Sequence, residues 1–370
     1  MSRFAHITGW GMSVPEKVLT NDDIAQMVDT NNEWIISRTG IRERRIVNSK
    51  DETTASLATD AALHALDVAH LSPGDLDLII VSTSSPEHLF PATACLVQDR
   101  IGASKAGAFD LSAACTGFIY ALNMATQAIQ TGSVDKALII GSETLSRLVN
   151  WEDRGTCILF GDGAGAFVLE ANETRGGLLS AVMRSDGSGG NALSIPAGGS
   201  RLPTSIGTLN QGLHYIQMNG REVYRFAVKV MAQASREAVN RAGLEMKDIK
   251  YIIPHQANKR IIEAAARSLD IPIERVVINV ECFGNTSTAS IPIATCEAVR
   301  DGRLQPNDQI VFVGFGAGLT WGAAVAKWTG PVSARRIIPP TSYRAWAKVR
   351  SVLLRLVRYI EGLIWGRYLD

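Results

Sequence analysis

One pattern occurs twice in this chain of 370 residues, and it limits the available folds more than any other feature. Ala69-His70-Leu71, Asp75-Leu76 and Ile79-Ile80 return as Ala242-Gly243-Leu244, Asp248-Ile249 and Ile252-Ile253, with the same interval between the copies each time. Each copy reads as a helix end, a short loop and a buried strand. Ala128-Ile129 with Gly132 returns as Ala298-Val299 with Gly302 at a slightly shorter interval, and the run Gly161 to Gly165 (GDGAG) is echoed at Gly314 to Gly318 (GFGAG). Three matches in one order predict two copies of a single α/β unit, over 1–175 and 176–330. Helical periodicity over 55–69, 118–130 and 222–242 alternates with strand-like runs at 78–81, 137–140 and 310–313. That alternation predicts two mixed sheets layered with helices. The stretch 113–128, rich in Ala and poor in charge, predicts a helix buried between them.

Composition narrows the function. With 46% hydrophobic residues, the chain is neither a disordered polymer nor a small disulfide-stapled scaffold. A formal net charge of +1 gives no basis for nucleic acid as a partner. No apolar run reaches the ~18 residues of a membrane-spanning helix, and the first residues read as mature structure. The expected location is cytoplasmic. Cys95, Cys115, Cys157, Cys282 and Cys296 are scattered without CxxC spacing, so neither a metal nor a redox cofactor is expected. Residues 331–370 differ from the body, holding eight basic residues (Arg335, Arg336, Arg344, Lys348, Arg350, Arg355, Arg358 and Arg367) against Glu361 and Asp370. Trp346, Val349, Leu353, Leu356, Ile360 and Leu363 recur at helical spacing, making this extension a basic amphipathic helix set off by Pro339-Pro340. A membrane surface, a neighbouring subunit or the body itself could receive it.

Four segments could carry chemistry. In Ser112-Ala113-Ala114-Cys115-Thr116-Gly117, a strand runs into small residues and Cys115 opens the buried helix. A helix N-terminus lowers a thiol pKa and favours the nucleophilic thiolate; buried packing is the structural alternative. His255, in Pro254-His255-Gln256-Ala257-Asn258, ends a strand at the sheet edge where ligands gather. It is either an acid/base group or a structural histidine. Asn285, in Gly284-Asn285-Thr286-Ser287, reads as a helix cap. The interval from Ala128 to Ala298 nevertheless sets it in register with Cys115, which predicts that the two meet across a pseudo-two-fold axis. Finally, the Gly316 N–H could join the Cys115 N–H in an oxyanion hole.

Together these motifs, with Asn32-Glu33-Trp34-Ile35 and Arg38-Thr39-Gly40-Ile41, resemble the β-ketoacyl-acyl carrier protein synthase III family of the thiolase superfamily, over about residues 4–328. The resemblance implies an α-β-α-β-α fold with two mixed five-stranded sheets. It implies that Cys115 is acylated by an acyl-CoA. Malonyl-acyl carrier protein is then decarboxylated with His255 and Asn285 as hydrogen-bond donors, and Cys115 and Gly316 amides hold the oxyanion. Trp34 and Arg154 would sandwich the CoA adenine, Arg38 would approach phosphate, and Asn258 would help position the pantetheine arm or a site water. Phe90 would reach the acyl tunnel of a partner subunit, implying a homodimer. Arg225, Lys259 and Arg260 would dock the acidic carrier protein. A secondary-metabolite synthase III-like acyltransferase and a non-catalytic partner subunit stay open as alternatives.

Overall fold

The computed structural model describes residues 2–330 and 340–365. Its first sheet contains β1 (Phe4–Ser13), β2 (Leu78–Ser82), β3 (Gly107–Leu111), β4 (Lys136–Glu143) and β5 (Gly163–Asn172), in the order β1-β5-β4-β2-β3. The second contains β6 (Gly177–Ser185), β7 (Tyr251–Pro254), β8 (Gln309–Gly316) and β9 (Thr320–Lys327), in the order β6-β9-β8-β7. Strand directions repeat as well: the first two pairs in each order are antiparallel (β1/β5 and β5/β4, β6/β9 and β9/β8), and the β4/β2 and β8/β7 pairs are parallel. The duplication read from the sequence is therefore present in the sheets. Where five strands are expected in each, the second sheet has four. The position matching β3 holds one parallel bridge, Ile252 to Val276. The chain leaves it at once because Gln256 takes the Asn279 and Val280 N–H groups and turns the backbone into a short helix, Val280–Phe283.

The longer helices are α1 (Asn32–Thr39), α2 (Thr54–Val68), α3 (Thr93–Ile101), α4 (Gly117–Gln130), α5 (Gly220–Arg241), α6 (Lys259–Leu269), α7 (Ser290–Arg300) and α8 (Pro340–Trp365). α2 and α3 cover the outer face of the first sheet, α5 and α6 that of the second, and α4 and α7 lie between the sheets. α4 buries most of its surface, with Met124, Gln127 and Gln130 exposed. The repeat governs the details. α2 and α5 both run into a left-handed residue immediately before the repeated leucine, His70 (φ 55°) ahead of Leu71 and Gly243 (φ 74°) ahead of Leu244. The GDGAG and GFGAG runs, by contrast, are not counterparts, since the first leads into β5 and the second ends β8.

Three packed layers follow, with the middle one drawn from both halves. There Phe167 meets Phe118 edge-on at 5.0 Å, Phe312 at 5.8 Å and Trp328 at 6.3 Å. Among the described residues no helix is long and apolar enough to cross a membrane. Arg335, Arg336, Arg367 and Asp370 lie outside the described residues. Phe167→Ala should cost about 3–5 kcal/mol in urea unfolding, as a buried aromatic does when its cavity cannot collapse; a loss below about 1 kcal/mol would contradict a middle layer shared by the two halves.

Candidate active site

Each half sends the N-terminus of its buried helix against the other half's sheet. A single 3-10 turn precedes each helix, Ala114–Thr116 before α4 and Ser287–Ala289 before α7, and both turns open on a non-glycine residue with positive φ. These are Ala114 (φ 47°) and Ser287 (φ 50°). Left-handed backbone at such residues costs free energy and persists only where packing enforces it. Here the enforcement is close approach. A Cβ on Gly316 would lie 2.7 Å from the Cys115 nitrogen, and one on Gly141 would lie 2.5 Å from the Thr288 carbonyl oxygen. Only glycine fits either strand at these points. The counterpart of Cys115 is thus Thr288, at the same interval that separates Ala69 from Ala242, and not Asn285. The register that pairs Asn285 with Cys115 is wrong, yet both residues line one cavity.

That cavity, of about 1220 Å³, brings Cys115, His255, Asn285, Phe315 and Gly316 together. Trp34, Arg38, Asn258, Arg225 and Arg260 line it too, and of these Arg38, Arg225 and Arg260 are exposed. A second cavity of about 410 Å³, lined by Leu145, Phe160, Ile195 and Ile216 among others, also reaches Cys115. The sulfur therefore sits between a wide entrance with cationic side chains and a smaller, largely apolar chamber.

His255 follows β7, with its N–H donated to the Val313 carbonyl at 2.7 Å. Its Nδ1 pairs with the Ser290 hydroxyl at 2.7 Å, and that oxygen accepts the Gln256 N–H at 3.2 Å. Ser290 thus has its own hydrogen to give to Nδ1, which leaves the imidazole hydrogen on Nε2. Nε2 is buried and has no partner among the described residues. Burial pushes the imidazole down to about 3, against a backbone contact with Ser287, and the Phe315 ring packs beside it at 5.3 Å. The ring is a neutral donor, not an imidazolium. Asn285 is held by main-chain bonds to Leu159 and Gly161, at 2.8 and 3.0 Å. Its Oδ1 accepts the Ser287 N–H at 2.8 Å, and its Nδ2 has no acceptor among the described residues. Two N–H donors are therefore free in one wall.

Sequence reasoning missed Glu143. It ends β4 at zero exposure, held by the Ser85 hydroxyl at 2.6 Å and the Ser84 N–H at 3.1 Å. Burial pushes this carboxyl up to about 7, against its hydrogen bonds to Ser85 and Ser287. The repeat held the signal, because Glu143 occupies in the first half the place of Gly316 in the second. Its charge bears on the nucleophile. Burial pushes the Cys115 thiol up to about 12; the Ser287 hydroxyl opposes this and Glu143 adds to it. The helix N-terminus favours thiolate, as the sequence predicts, but desolvation outweighs it in the unliganded site.

The remaining predicted residues fall in several places. Trp34 stands on α1, with the Arg154 guanidinium 4.8 Å and the Arg38 guanidinium 5.8 Å from its ring centre. A base sandwiched between indole and Arg154 needs about 7 Å, two van der Waals spacings, so these two groups touch each other instead. Arg154 also donates to the Asp29 carbonyl at 2.9 Å. Asn258 caps α6 and donates to the Arg38 carbonyl at 3.0 Å, tying the two edges of the entrance. Lys259 packs its stem on Gly40 beside that entrance. Phe90 is 86% exposed and lines neither cavity. Among the described residues no cluster of His, Cys, Asp and Glu could hold a metal.

Glu143→Gln should move the pH dependence of Cys115 alkylation by iodoacetamide to lower pH, by about one unit, because it removes a like charge beside the forming thiolate. No shift, or a shift to higher pH, would contradict the coupling.

The model of the 3-oxoacyl-[acyl-carrier-protein] synthase III C-terminal family matches residues 239–328, and that of the 3-oxoacyl-[acyl-carrier-protein] synthase III family matches residues 109–187. A β-ketoacyl-[acyl-carrier-protein] synthase III of Desulfitobacterium hafniense is 54% identical over 323 residues, 87% of this chain and 97% of that protein. Another, from Symbiobacterium thermophilum, is 53% identical over 87% of this chain and 97% of that protein. The crystal structure of the Aquifex aeolicus 3-oxoacyl-[acyl-carrier-protein] synthase III superposes with a TM-score of 0.81 at 46% identity, over 87% of this chain and 99% of that one. The priming β-ketosynthase of the R1128 polyketide pathway gives 0.83 at 34% identity, over 90% and 98%. On these similarities, with a cysteine at the seam between two like halves, the chain belongs to the 3-oxoacyl-[acyl-carrier-protein] synthase III family.

Proposed function

We propose that this enzyme condenses a short acyl-CoA, such as acetyl-CoA, with malonyl-acyl carrier protein, losing CO₂ and yielding the β-ketoacyl-acyl carrier protein that begins fatty-acid synthesis. The observation that carries this reading is a cysteine facing two unpartnered N–H donors, His255 Nε2 and Asn285 Nδ2, in one cavity. The first half, 1–175, supplies the nucleophile, and the second, 176–330, supplies both donors.

In the first step the Cys115 sulfur attacks the acyl-CoA carbonyl as its thiol proton is given up, and that proton is taken by the departing CoA sulfur. The Cys115 and Gly316 N–H groups receive the oxyanion, and CoA leaves as the thiol. The acyl chain then occupies the smaller chamber. In the second step the malonyl thioester enters, and its carboxylate leaves as CO₂. The electron pair of the broken C–C bond passes into an enolate whose oxygen takes hydrogen bonds from Nε2 and Nδ2. The enolate carbon attacks the acyl thioester, and collapse of the tetrahedral intermediate expels the Cys115 thiolate. A neutral His255 suits this role because it donates a hydrogen bond without a proton to lose, and burial keeps it neutral at any pH well above 3.

Trp34, Arg38 and Arg154 receive the CoA nucleotide, with Arg154 swinging off the indole to admit the base. Asn258 guides the pantetheine arm, and Arg225, Lys259 and Arg260 meet the acidic carrier protein at the entrance. Strand β3 is a sheet edge with no further strand beside it among the described residues and carries exposed Phe109, and Leu89 and Phe90 are exposed as well. Such an edge supports pairing with a second copy, which would carry Phe90 toward the partner's chamber. The reading places the enzyme in the cytoplasm.

A panel of acyl-CoAs with malonyl-acyl carrier protein, read by product mass, tests the reaction. Cys115→Ser should abolish acyl transfer. His255→Ala and Asn285→Ala should still be acylated but lose decarboxylation by about 10²–10³-fold, the usual cost of one donor to a developing oxyanion. Normal decarboxylation by Asn285→Ala would remove it from the assigned role.

A further inference from the structure

Helix α8 is amphipathic in the opposite sense to a helix that only braces a body. Its inward face is small and polar. Ala347 is buried against Gly102, the Ser351 hydroxyl donates to Asp99 at 2.6 Å, and Arg344 and Arg355 reach Asp60 and Asp99 at 2.8 and 3.8 Å. At about 100° per residue, Trp346, Val349, Leu353, Leu356, Ile360 and Leu363 fall on the other side, each between 46% and 73% exposed. From Trp346 to Leu363 this stripe runs about 26 Å along the helix axis. An apolar strip of that length facing water marks an interaction surface.

The charge around the stripe selects its occupant. Lys348 and Arg350 flank it on its two sides, and neither they nor Arg358 have an ion-pair partner among the described residues. The segment 331–370 holds eight basic and two acidic residues, while the rest of the chain holds 29 basic and 34 acidic. The body is thus a net anion carrying a cationic, apolar-faced arm, and an anionic surface would be approached arm first. A second α8 laid on the first would set these cations against like charges. The helix is also too charged to cross a bilayer, whereas Lys and Arg beside an apolar stripe suit a helix lying in the headgroup layer. The family match ends at residue 328, so the arm is an addition to the shared body.

We propose that α8 attaches this protein to an anionic lipid surface, with the stripe sunk at the headgroup–acyl boundary and Lys348 and Arg350 on lipid phosphates. The test is co-sedimentation of the full chain with phosphatidylcholine vesicles, with and without phosphatidylglycerol. Partition should be at least about tenfold greater on the anionic vesicles and should fall as salt rises. Leu353→Asp with Leu356→Asp should abolish it, and Lys348→Glu with Arg350→Glu should reduce it by about tenfold. Leu353, Leu356 and Lys348 are exposed and Arg350 is half-buried without an ion pair among the described residues, so the thermal unfolding midpoint of both variants should stay close to that of the parent. Equal partition onto neutral and anionic vesicles would overturn the proposal, as would no partition at all. So would an assembly in light scattering that the two Asp substitutions dissolve in the absence of lipid, because a second copy would then be the occupant.

Discussion

The contact on which the rest of this structure depends is the one between the Cys115 backbone and Gly316, across the seam of the two halves. A single methyl group there would lie 2.7 Å from the Cys115 nitrogen. Across the same seam Gly141 approaches Thr288 as closely, an added Cβ lying 2.5 Å from the Thr288 carbonyl oxygen. These two approaches explain why a non-glycine residue sits at positive φ on each side and why α4 and α7 share one core layer. They also explain why groups as distant in the chain as Cys115, His255 and Asn285 meet on one wall. The nucleophile belongs to one half, yet the strand that forms its floor belongs to the other.

The second constraint is dryness. Burial holds Cys115 as a thiol, His255 as a neutral imidazole and Glu143 near half-protonation at neutral pH. A site in this state does not invest charge in the absence of substrate. On the proposed reaction its fixed N–H groups would meet charge only where the chemistry creates it, on the oxyanion and the enolate, and in a low-dielectric cavity such donors act most strongly. The entrance differs in kind, with Arg38, Arg225 and Arg260 in water, where their effect is on approach more than on the chemical step.

Much of this was legible in the chain. The repeat was enough to predict two like sheets, and the buried helices follow from uncharged stretches. Convergence of Cys115 with Asn285 was also readable, though through the wrong register. Helix length caused the error, because α7 has 11 residues against 14 in α4, so a match taken beyond the helices misplaces by three residues what lies ahead of them. The paired glycine runs misled for a different reason, since glycine marks close approach without saying to what. Glu143 escaped notice because an acid after Gly141-Ser142 looks like the start of a solvated turn, whereas β4 continues buried to its end. The contact between Trp34 and Arg154 was out of reach too, since two residues suited to holding a base are equally suited to each other.

The central claim is that Cys115 is the group that takes the acyl chain. Incubation with acetyl-CoA followed by intact-mass measurement and peptide mapping tests it most directly. The account predicts the gain of one acetyl group, confined to the peptide bearing Cys115, stable until malonyl-acyl carrier protein is added and then lost. An acetyl group on any of the other four cysteines, or none on the protein while product still forms, would contradict it.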